Sequence, residues 1–282
     1  MTLYKYMKPD RVDVLERNLI RYTPPAEFND PFESAPHSAS FATAEEIARV
    51  TNVALPHEGD RVWAELPAEL RAKIERSEYD RLVAGLAPAA TSMFADLSKG
   101  LAPVFLAQAT RRANETLGIL SLSDRPDSLL MWAHYAAAHT GVVVGIDPTH
   151  NSFNPRESRA ASESNVRKVS YAESRPSKPL MELSPEEFFF TKSLEWSYEA
   201  EWRALARLTD AVEVKPSRPW PIHLFPLPAD CIRVVILGCR ATAECKERVV
   251  SILADERYQG VKLLTARVDD RQFTLNLVEI AR

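Results

Sequence analysis

Two glutamates that stand two residues apart, Glu199 and Glu201, are the residues of this sequence best suited to chemistry, and Arg203 follows at the same spacing. On a β-strand, residues i and i+2 project from one face, about 6.5–7 Å apart. A neighbouring guanidinium favours the ionised form of both carboxylates. Such a pair suits the stabilisation of an oxocarbenium-like centre at a sugar carbon.

The conformation of this segment is left open by its pattern. Alternation predicts a strand over residues 196–204 whose core-facing members are Trp196, Tyr198, Ala200, Trp202 and Ala204. The face directed away from the core then carries Ser197, Glu199, Glu201 and Arg203. Helical spacing also fits Tyr198, Trp202 and Leu205, and on a helix the two glutamates diverge by about 200°. The paired-carboxylate hypothesis therefore depends on the strand.

Hydroxyl and aromatic side chains suited to binding occur earlier in the chain. The run 118–123 predicts a strand on which Ser121 and Ser123 project from one face. A helix predicted over 127–139 carries Trp132 and Tyr135. These two are typical core aromatics, and in an exposed cleft they would stack on a flat ring.

Histidine and cysteine spacing argues against a metal centre. His134 and His139 are about 140° apart around a helix, unlike the i,i+4 pair of an H-E-x-x-H motif. The three cysteines form no ligand pair: Cys231, Cys239 and Cys245. An odd, small number is typical of reduced thiols in a cytosolic protein. We therefore expect no metal and a cytoplasmic location.

Composition excludes several classes of protein. The 282 residues include 20 prolines and only 8 glycines, and neither the P-loop nor the G-x-G-x-x-G fingerprint occurs. A net charge of −4 argues against bulk nucleic-acid binding, which needs a basic face. No run of about 18 apolar residues exists, and the first residues lack the apolar stretch of a signal peptide. We expect no membrane association.

The elements that must position these residues are short strands around a helical insertion. A capping box at Thr43 and Glu46 begins a helical stretch over residues 40–116. Strands are predicted at residues 3–7, 118–123, 142–147, 166–171, 232–237, 261–268 and 273–277, with a helix over 241–255 and a loop over 148–165. This order predicts an α+β fold in one domain, 1–282, with 40–116 as an insertion that covers a sheet.

Five phrases occur in a fixed order along the chain. They are Leu3-Tyr4-Lys5-Tyr6, Phe28-Asn29-Asp30-Pro31-Phe32-Glu33, Leu120-Ser121-Leu122-Ser123, Met131-Trp132-Ala133-His134-Tyr135, and Tyr198-Glu199-x-Glu201-Trp202-Arg203. In these phrases the chain resembles a widespread bacterial family of unknown function, and the resemblance covers nearly the whole chain.

A more distant resemblance is to ADP-ribosyltransferases, in which a short N-terminal strand, a Ser-bearing strand and a late glutamate follow in this order. It implies a split β-sandwich that binds NAD without a Gly-rich loop. Glu201 would then stabilise the oxocarbenium and Glu199 would orient the acceptor. Lys5 stands where that family has Arg or His. The residues expected at the cofactor are Lys5, Tyr6, Asn29, Asp30, Ser121, Ser123, Trp132, Tyr135, His139 and Arg203.

Two functions remain open at this point. The first is an NAD-consuming transferase or glycohydrolase, in a toxin or phage-defence setting, whose acceptor is an unknown protein, nucleic acid or small molecule. The alternative is a non-catalytic module of the same fold that binds a nucleotide or a protein. Lys5, Ser121, Tyr135 and Glu201 should line one cleft in the enzyme. Glu201 packed outside against Arg203 would favour the module.

Overall fold

The computed structural model describes residues 1–153 and 165–281 of the chain. The loop predicted at 148–165 therefore falls mostly outside the described residues. Within them, a large mixed sheet with accompanying helices confirms the α+β class expected from the sequence. None of the helices in this part of the chain is long and apolar enough to cross a lipid bilayer.

The chain forms two compact units. The first, called the sheet unit, comprises Met1–Ser34, Arg112–Arg175 and Phe189–Arg282. The second, called the helical unit, comprises Ala35–Arg111 and Pro176–Phe188. Most of the predicted insertion therefore belongs to the helical unit, which a short later stretch of chain completes.

The strands are short, and most belong to one sheet. Their bounds are β1 (Leu3–Met7), β2 (Leu19–Tyr22), β3 (Leu117–Ser123), β4 (Val142–Ile146), β5 (Val166–Lys168), β6 (Ser170–Ala172), β7 (Thr191–Ser193), β8 (Glu201–Arg207), β9 (Glu213–Lys215), β10 (Ile222–Pro226), β11 (Ile232–Leu237), β12 (Lys262–Val268) and β13 (Leu275–Glu279). Eight of them form a sheet of order β13-β12-β11-β4-β1-β3-β8-β5. Its neighbours are antiparallel except β11 and β12.

Strand β1 lies in the middle of this sheet and diverges from β3. It pairs with β4 along its whole length but with β3 only at Tyr4 and Ser123. Beyond that single pair, Lys5 Nζ reaches across and donates a hydrogen bond to the carbonyl of Ser121 at 2.9 Å. The divergence leaves space between the two strands.

The helices are α1 (Asp13–Arg17), α2 (Ala44–Glu65), α3 (Ala68–Arg71), α4 (Arg76–Gly85), α5 (Ala87–Thr116), α6 (Leu129–Tyr135), α7 (Pro185–Phe189) and α8 (Ala243–Leu253). Helix α2 begins at the predicted capping box, in which Thr43 Oγ1 accepts from the Glu46 amide and the Glu46 carboxylate accepts from the Thr43 amide, both at 3.1 Å. These bonds satisfy two of the amides that a helix start leaves without partners.

Helix α6 is shorter than the predicted helix over 127–139. It ends at Tyr135, and Ala137, Ala138 and His139 all have positive φ. This left-handed backbone turns the chain back into β4. Gly141 is required there, because a Cβ on it would lie 2.1 Å from the carbonyl oxygen of Met7.

Two apolar clusters cover the two faces of the large sheet. Leu3 and Met7 belong to one cluster and Tyr6 to the other, as expected for alternating residues of one strand. On the first face, α8 buries its i, i+4, i+8 stripe of Cys245, Val249 and Leu253. On the second face, α6 places Trp132 edge-on against Tyr6, with ring centroids 5.4 Å apart. Helices α8 and α6 therefore cover opposite faces of the sheet that carries the site.

Candidate functional site

A cavity of about 300 Å³ lies in the sheet unit, where β1 and β3 diverge. Lys5 of β1, Ser121 of β3 and Glu201 of β8 contribute polar side chains to its wall, and Tyr135 lines it from the end of α6. Apolar wall is supplied by other residues, among them Tyr4, Phe28, Ile119 and Met131. The structure thus brings to one cavity the four side chains on which the enzyme hypothesis depends.

A buried ion cluster forms one side of this cavity. Lys192 Nζ lies 2.5 Å from the carboxylate of Glu199, 3.0 Å from that of Glu201 and 3.7 Å from that of Glu33. Arg203 donates to Glu201 through Nε at 2.9 Å and through Nη2 at 3.0 Å, and it also pairs with Glu33. All five side chains are at most 5% exposed. We call this group the ion cluster.

The charges of the ion cluster do not cancel, since three carboxylates face two cations. Burial alone would lower the pKa of Lys192, but the carboxylates of Glu201 and Glu199 outweigh it and raise this pKa. Burial raises the pKa of Glu201, against the opposing effect of Lys192 and of a hydrogen bond from Ser121. Lys5, on the same cavity wall, is a further cation that interacts with Glu201 and Glu199.

The chain around the two glutamates is neither the continuous strand nor the helix weighed from the sequence. A 3-10 helix spans Leu194–Glu199, and β8 begins only at Glu201. Between them, Ala200 has left-handed φ and ψ of 44° and 52°. This turn brings both carboxylates to the same lysine. Their convergence therefore results from the left-handed turn at Ala200, which the periodicity of the sequence does not predict.

The polar face of β8 points inward, which corrects the expectation that it faces away from the core. Arg203 is 0% and Glu201 3% exposed, whereas Trp202 is only partly buried. Alternation is confirmed only within β8, where Glu201 and Arg203 share a face, since Ser197 and Glu199 lie on the 3-10 helix. It assigned the wrong environment to that face, because the ion cluster supplies the partners that buried charges require.

Tyrosine hydroxyls and an amide extend the polar wall. Tyr135 Oη donates to the carboxylate of Glu199 at 2.5 Å and accepts from Asn29 Nδ2 at 3.3 Å. Burial, and then the bond to Glu199, raise the pKa of Tyr135. Tyr6 also lines the cavity, but its hydroxyl donates to the carbonyl of Arg125 at 2.7 Å. Asn29, Tyr6 and Tyr135 therefore join Lys5 and Ser121 in the cavity.

The other expected contact residues lie elsewhere. The Ser123 hydroxyl donates to the backbone carbonyl of Glu199 at 2.6 Å and so positions that glutamate. Trp132 is fully buried, and its indole N–H donates to the carbonyl of Pro126 at 2.9 Å. His139 lines a separate cavity of about 380 Å³. Asp30 is buried, and its Oδ1 accepts from a backbone amide. Arg203 pairs with the carboxylates of Glu33 and Glu201 and is not among the residues that line the cavity.

Two members of the ion cluster were missed by sequence reasoning: Lys192 and Glu33. Lys192 lies two residues after the apolar run Phe188-Phe189-Phe190, and a lysine that is buried beside such a run must have a partner. Glu33 ends one of the phrases already quoted. The apolar run beside Lys192 is a signal of burial, whereas the position of Glu33 carries none, and neither residue's surroundings in the sequence identify its partners.

No group of three or more His, Cys, Asp or Glu side chains in the described ranges could hold a metal ion. The three cysteines are free thiols, of which Cys231 and Cys245 are buried. Burial raises the pKa of the Cys231 thiol to about 12, so it carries no thiolate at neutral pH.

Because of Lys5, the free energy of unfolding is expected to change with pH in the alkaline range. Burial lowers the pKa of Lys5 to about 8, against the opposing charges of Glu201 and Glu199, while Arg11 and Arg21 add to the lowering. Between this pKa and the ordinary value near 10.5, the unfolded chain binds the proton that the folded chain has lost. The free energy of unfolding of the wild type, relative to Lys5→Met, should therefore rise from pH 8 to pH 10. Urea unfolding at several pH values measures this, and a constant difference would show that Lys5 titrates normally.

Fold and site together define an α+β protein with a large mixed sheet and a charged cavity at its centre. Residues 131–204 match the model of a family described as "Protein of unknown function (DUF2971)". The matched stretch contains Tyr135, Lys192, Glu199, Glu201 and Arg203. Comparison with curated proteins and with solved structures finds no significant match.

Proposed function

We propose that this protein is an NAD-consuming enzyme similar to ADP-ribosyltransferases, which releases nicotinamide and passes ADP-ribose to an acceptor or to water. One observation carries the proposal: Glu199 and Glu201 converge at a cavity whose wall also holds Lys5, Ser121 and Tyr135. The divergence of β1 from β3 supports a split sheet of the kind that the resemblance implies.

In the proposed reaction, the bond between ribose C1′ and the nicotinamide nitrogen breaks, and its electron pair leaves with nicotinamide. Positive charge develops on the ribose, next to the carboxylate of Glu201. The ionised carboxylate of Glu201 stabilises that charge more in the transition state than in the ground state. The acceptor then bonds to C1′ through its lone pair, and its proton passes to solvent.

The remaining wall residues bind and orient the substrate. Lys5 offers a cation to an anionic part of the substrate, and Ser121 holds the Glu201 carboxylate in place. Glu199, held by Tyr135 and Lys192, is placed to orient an acceptor. The cavity, at about 300 Å³, is at the lower end of the range for small-molecule sites, so it suits one half of a dinucleotide.

Glu201→Gln is expected to reduce nicotinamide release from NAD at least about 100-fold, because the neutral amide cannot stabilise the developing cation. Released nicotinamide is measured by chromatography, and thermal unfolding checks that the variant folds. The matched control is Glu195→Gln, since Glu195 is an exposed glutamate on the 3-10 helix that precedes β8. Equal nicotinamide release by wild type and Glu201→Gln would refute the proposed role.

A second candidate is a non-catalytic module that binds a nucleotide or a protein segment. One observation favours it: both oxygens of the Glu201 carboxylate already accept hydrogen bonds from Arg203, and Oε2 also accepts from Lys192. A protein with this function binds its ligand without releasing nicotinamide. Its ligand binding should persist in Glu201→Gln. A role in toxin activity or phage defence stays a prediction from the resemblance.

A further inference from the structure

A row of four aromatic rings leads from the cavity toward the surface of the sheet unit. Trp196 and Tyr198 belong to the 3-10 helix, and His134 and Tyr135 belong to α6. Ring centroids are 6.1 Å apart for Trp196 and Tyr198, 6.0 Å for Tyr198 and His134, and 6.3 Å for His134 and Tyr135. We call these residues the aromatic row. Because Tyr135 lines the cavity, the row is continuous with it.

Polar contacts hold the rings of the aromatic row in position. His134 Nδ1 and Tyr198 Oη are 3.2 Å apart, a hydrogen-bonding distance. Lys192 Nζ lies 5.1 Å from the centre of the Trp196 ring, within the range of a cation–π interaction. Rings that are already fixed lose little conformational entropy when a flat ligand stacks on them.

The exposure of these rings differs from that of a core aromatic. Trp132, in the same helix as His134, is 0% exposed and has its indole N–H satisfied. In contrast, His134 is exposed, and Trp196 and Tyr198 are each partly exposed. The row therefore retains ring surface on which a further planar group can stack.

We propose that the aromatic row is a subsite for a nucleobase, which stacks on it while the rest of the ligand enters the cavity. The cavity has room for about one half of a dinucleotide, and the row is the neighbouring surface suited to a planar ring. The identity of the ligand as NAD rests on the proposed function, whereas stacking of a base does not. In that substrate the stacked ring is the adenine.

The test compares three ligands that differ in which half they contain: NAD, AMP and nicotinamide mononucleotide. Calorimetry gives the Kd of each for the full-length wild type and for Tyr198→Ala. Loss of a base–aromatic stack should weaken NAD and AMP about 5- to 100-fold. Nicotinamide mononucleotide lacks the adenine, so its Kd should not change.

Two variants control for other effects. Tyr198→Phe keeps the ring but loses the hydrogen bond with His134, so it should weaken the binding of NAD and AMP much less than Tyr198→Ala does. Phe273→Ala removes a fully exposed aromatic ring from outside the row and should change no Kd. Thermal unfolding verifies that each variant folds.

The outcomes separate this subsite from the proposed reaction. Unchanged Kd values for NAD and AMP in Tyr198→Ala, or equal weakening of all three ligands, would overturn the subsite. Failure of the wild type to bind AMP and NAD would overturn it as well. Binding of AMP that depends on Tyr198, in a protein that never releases nicotinamide, would refute only the proposed reaction and support the subsite.

Discussion

Lys192→Met is expected to lower the free energy of unfolding by about 3–5 kcal/mol, the loss that follows when one partner of a buried ion pair is removed. Lys192 contacts Glu33, Glu199 and Glu201, and its side chain is only 4% exposed. Without it, Arg203 still pairs with Glu33 and Glu201, whereas Glu199 loses its lysine and keeps the hydrogen bond from Tyr135. Urea unfolding at pH 7 measures the loss.

A matched control for this variant is Lys168→Met. Lys168 is likewise a lysine in an ion pair, with the carboxylate of Asp124 at 3.2 Å, but its side chain is 57% exposed. An exposed pair contributes only about 0–1 kcal/mol. The deficit of Lys192→Met should also shrink as the pH falls, since protonation removes the unpaired negative charges. A Lys192→Met protein as stable as Lys168→Met would contradict the buried ion cluster.

Trp132→Ala is expected to destabilise the protein by about 3–5 kcal/mol, as for other large aromatic side chains removed from a core. Trp132 is fully buried, packs edge-on against Tyr6 and donates a hydrogen bond to the carbonyl of Pro126. The substitution leaves a cavity beside α6 and a carbonyl without its donor. Urea unfolding at pH 7 again gives the loss.

The same variant separates a core role for Trp132 from the ring-stacking role considered from the sequence. Phe273→Ala removes a fully exposed ring and should change stability by less than about 0.5 kcal/mol. At a temperature where Trp132→Ala is still folded, a core role leaves the Kd for AMP within about threefold of wild type. Loss of AMP binding with unchanged stability would instead identify Trp132 as a ligand contact.

Secondary structure could be predicted from the sequence where the residues that determine an element are close together in the chain. The capping box at Thr43 and Glu46 fixed the start of α2, because both partners are three residues apart. The strands predicted at 118–123 and 261–268 coincide with β3 and β12, although β3 is buried on both faces rather than on one. The end of α6 was missed, because the left-handed residues that stop it include alanines.

For the site, the sequence predicted which side chains take part better than it predicted whether each of them is buried or lines the cavity. Glu199 and Glu201 reach the cavity as the paired-carboxylate hypothesis requires, although the strand invoked for them begins only at Glu201. Trp132 was grouped with Tyr135 by spacing, yet one lies in the core and the other lines the cavity. One helical turn separates these two environments, so spacing alone does not distinguish them.

The sequence by itself determined the α+β class, most strand positions and the pair of glutamates with Arg203, because these follow from periodicity and residue type within a few neighbours. Only the tertiary structure decided that Glu33 and Lys192 complete the ion cluster and that Ala200 turns the chain between the glutamates. Burial of charge depends on partners that are distant in the chain, and no local pattern records which partners those are.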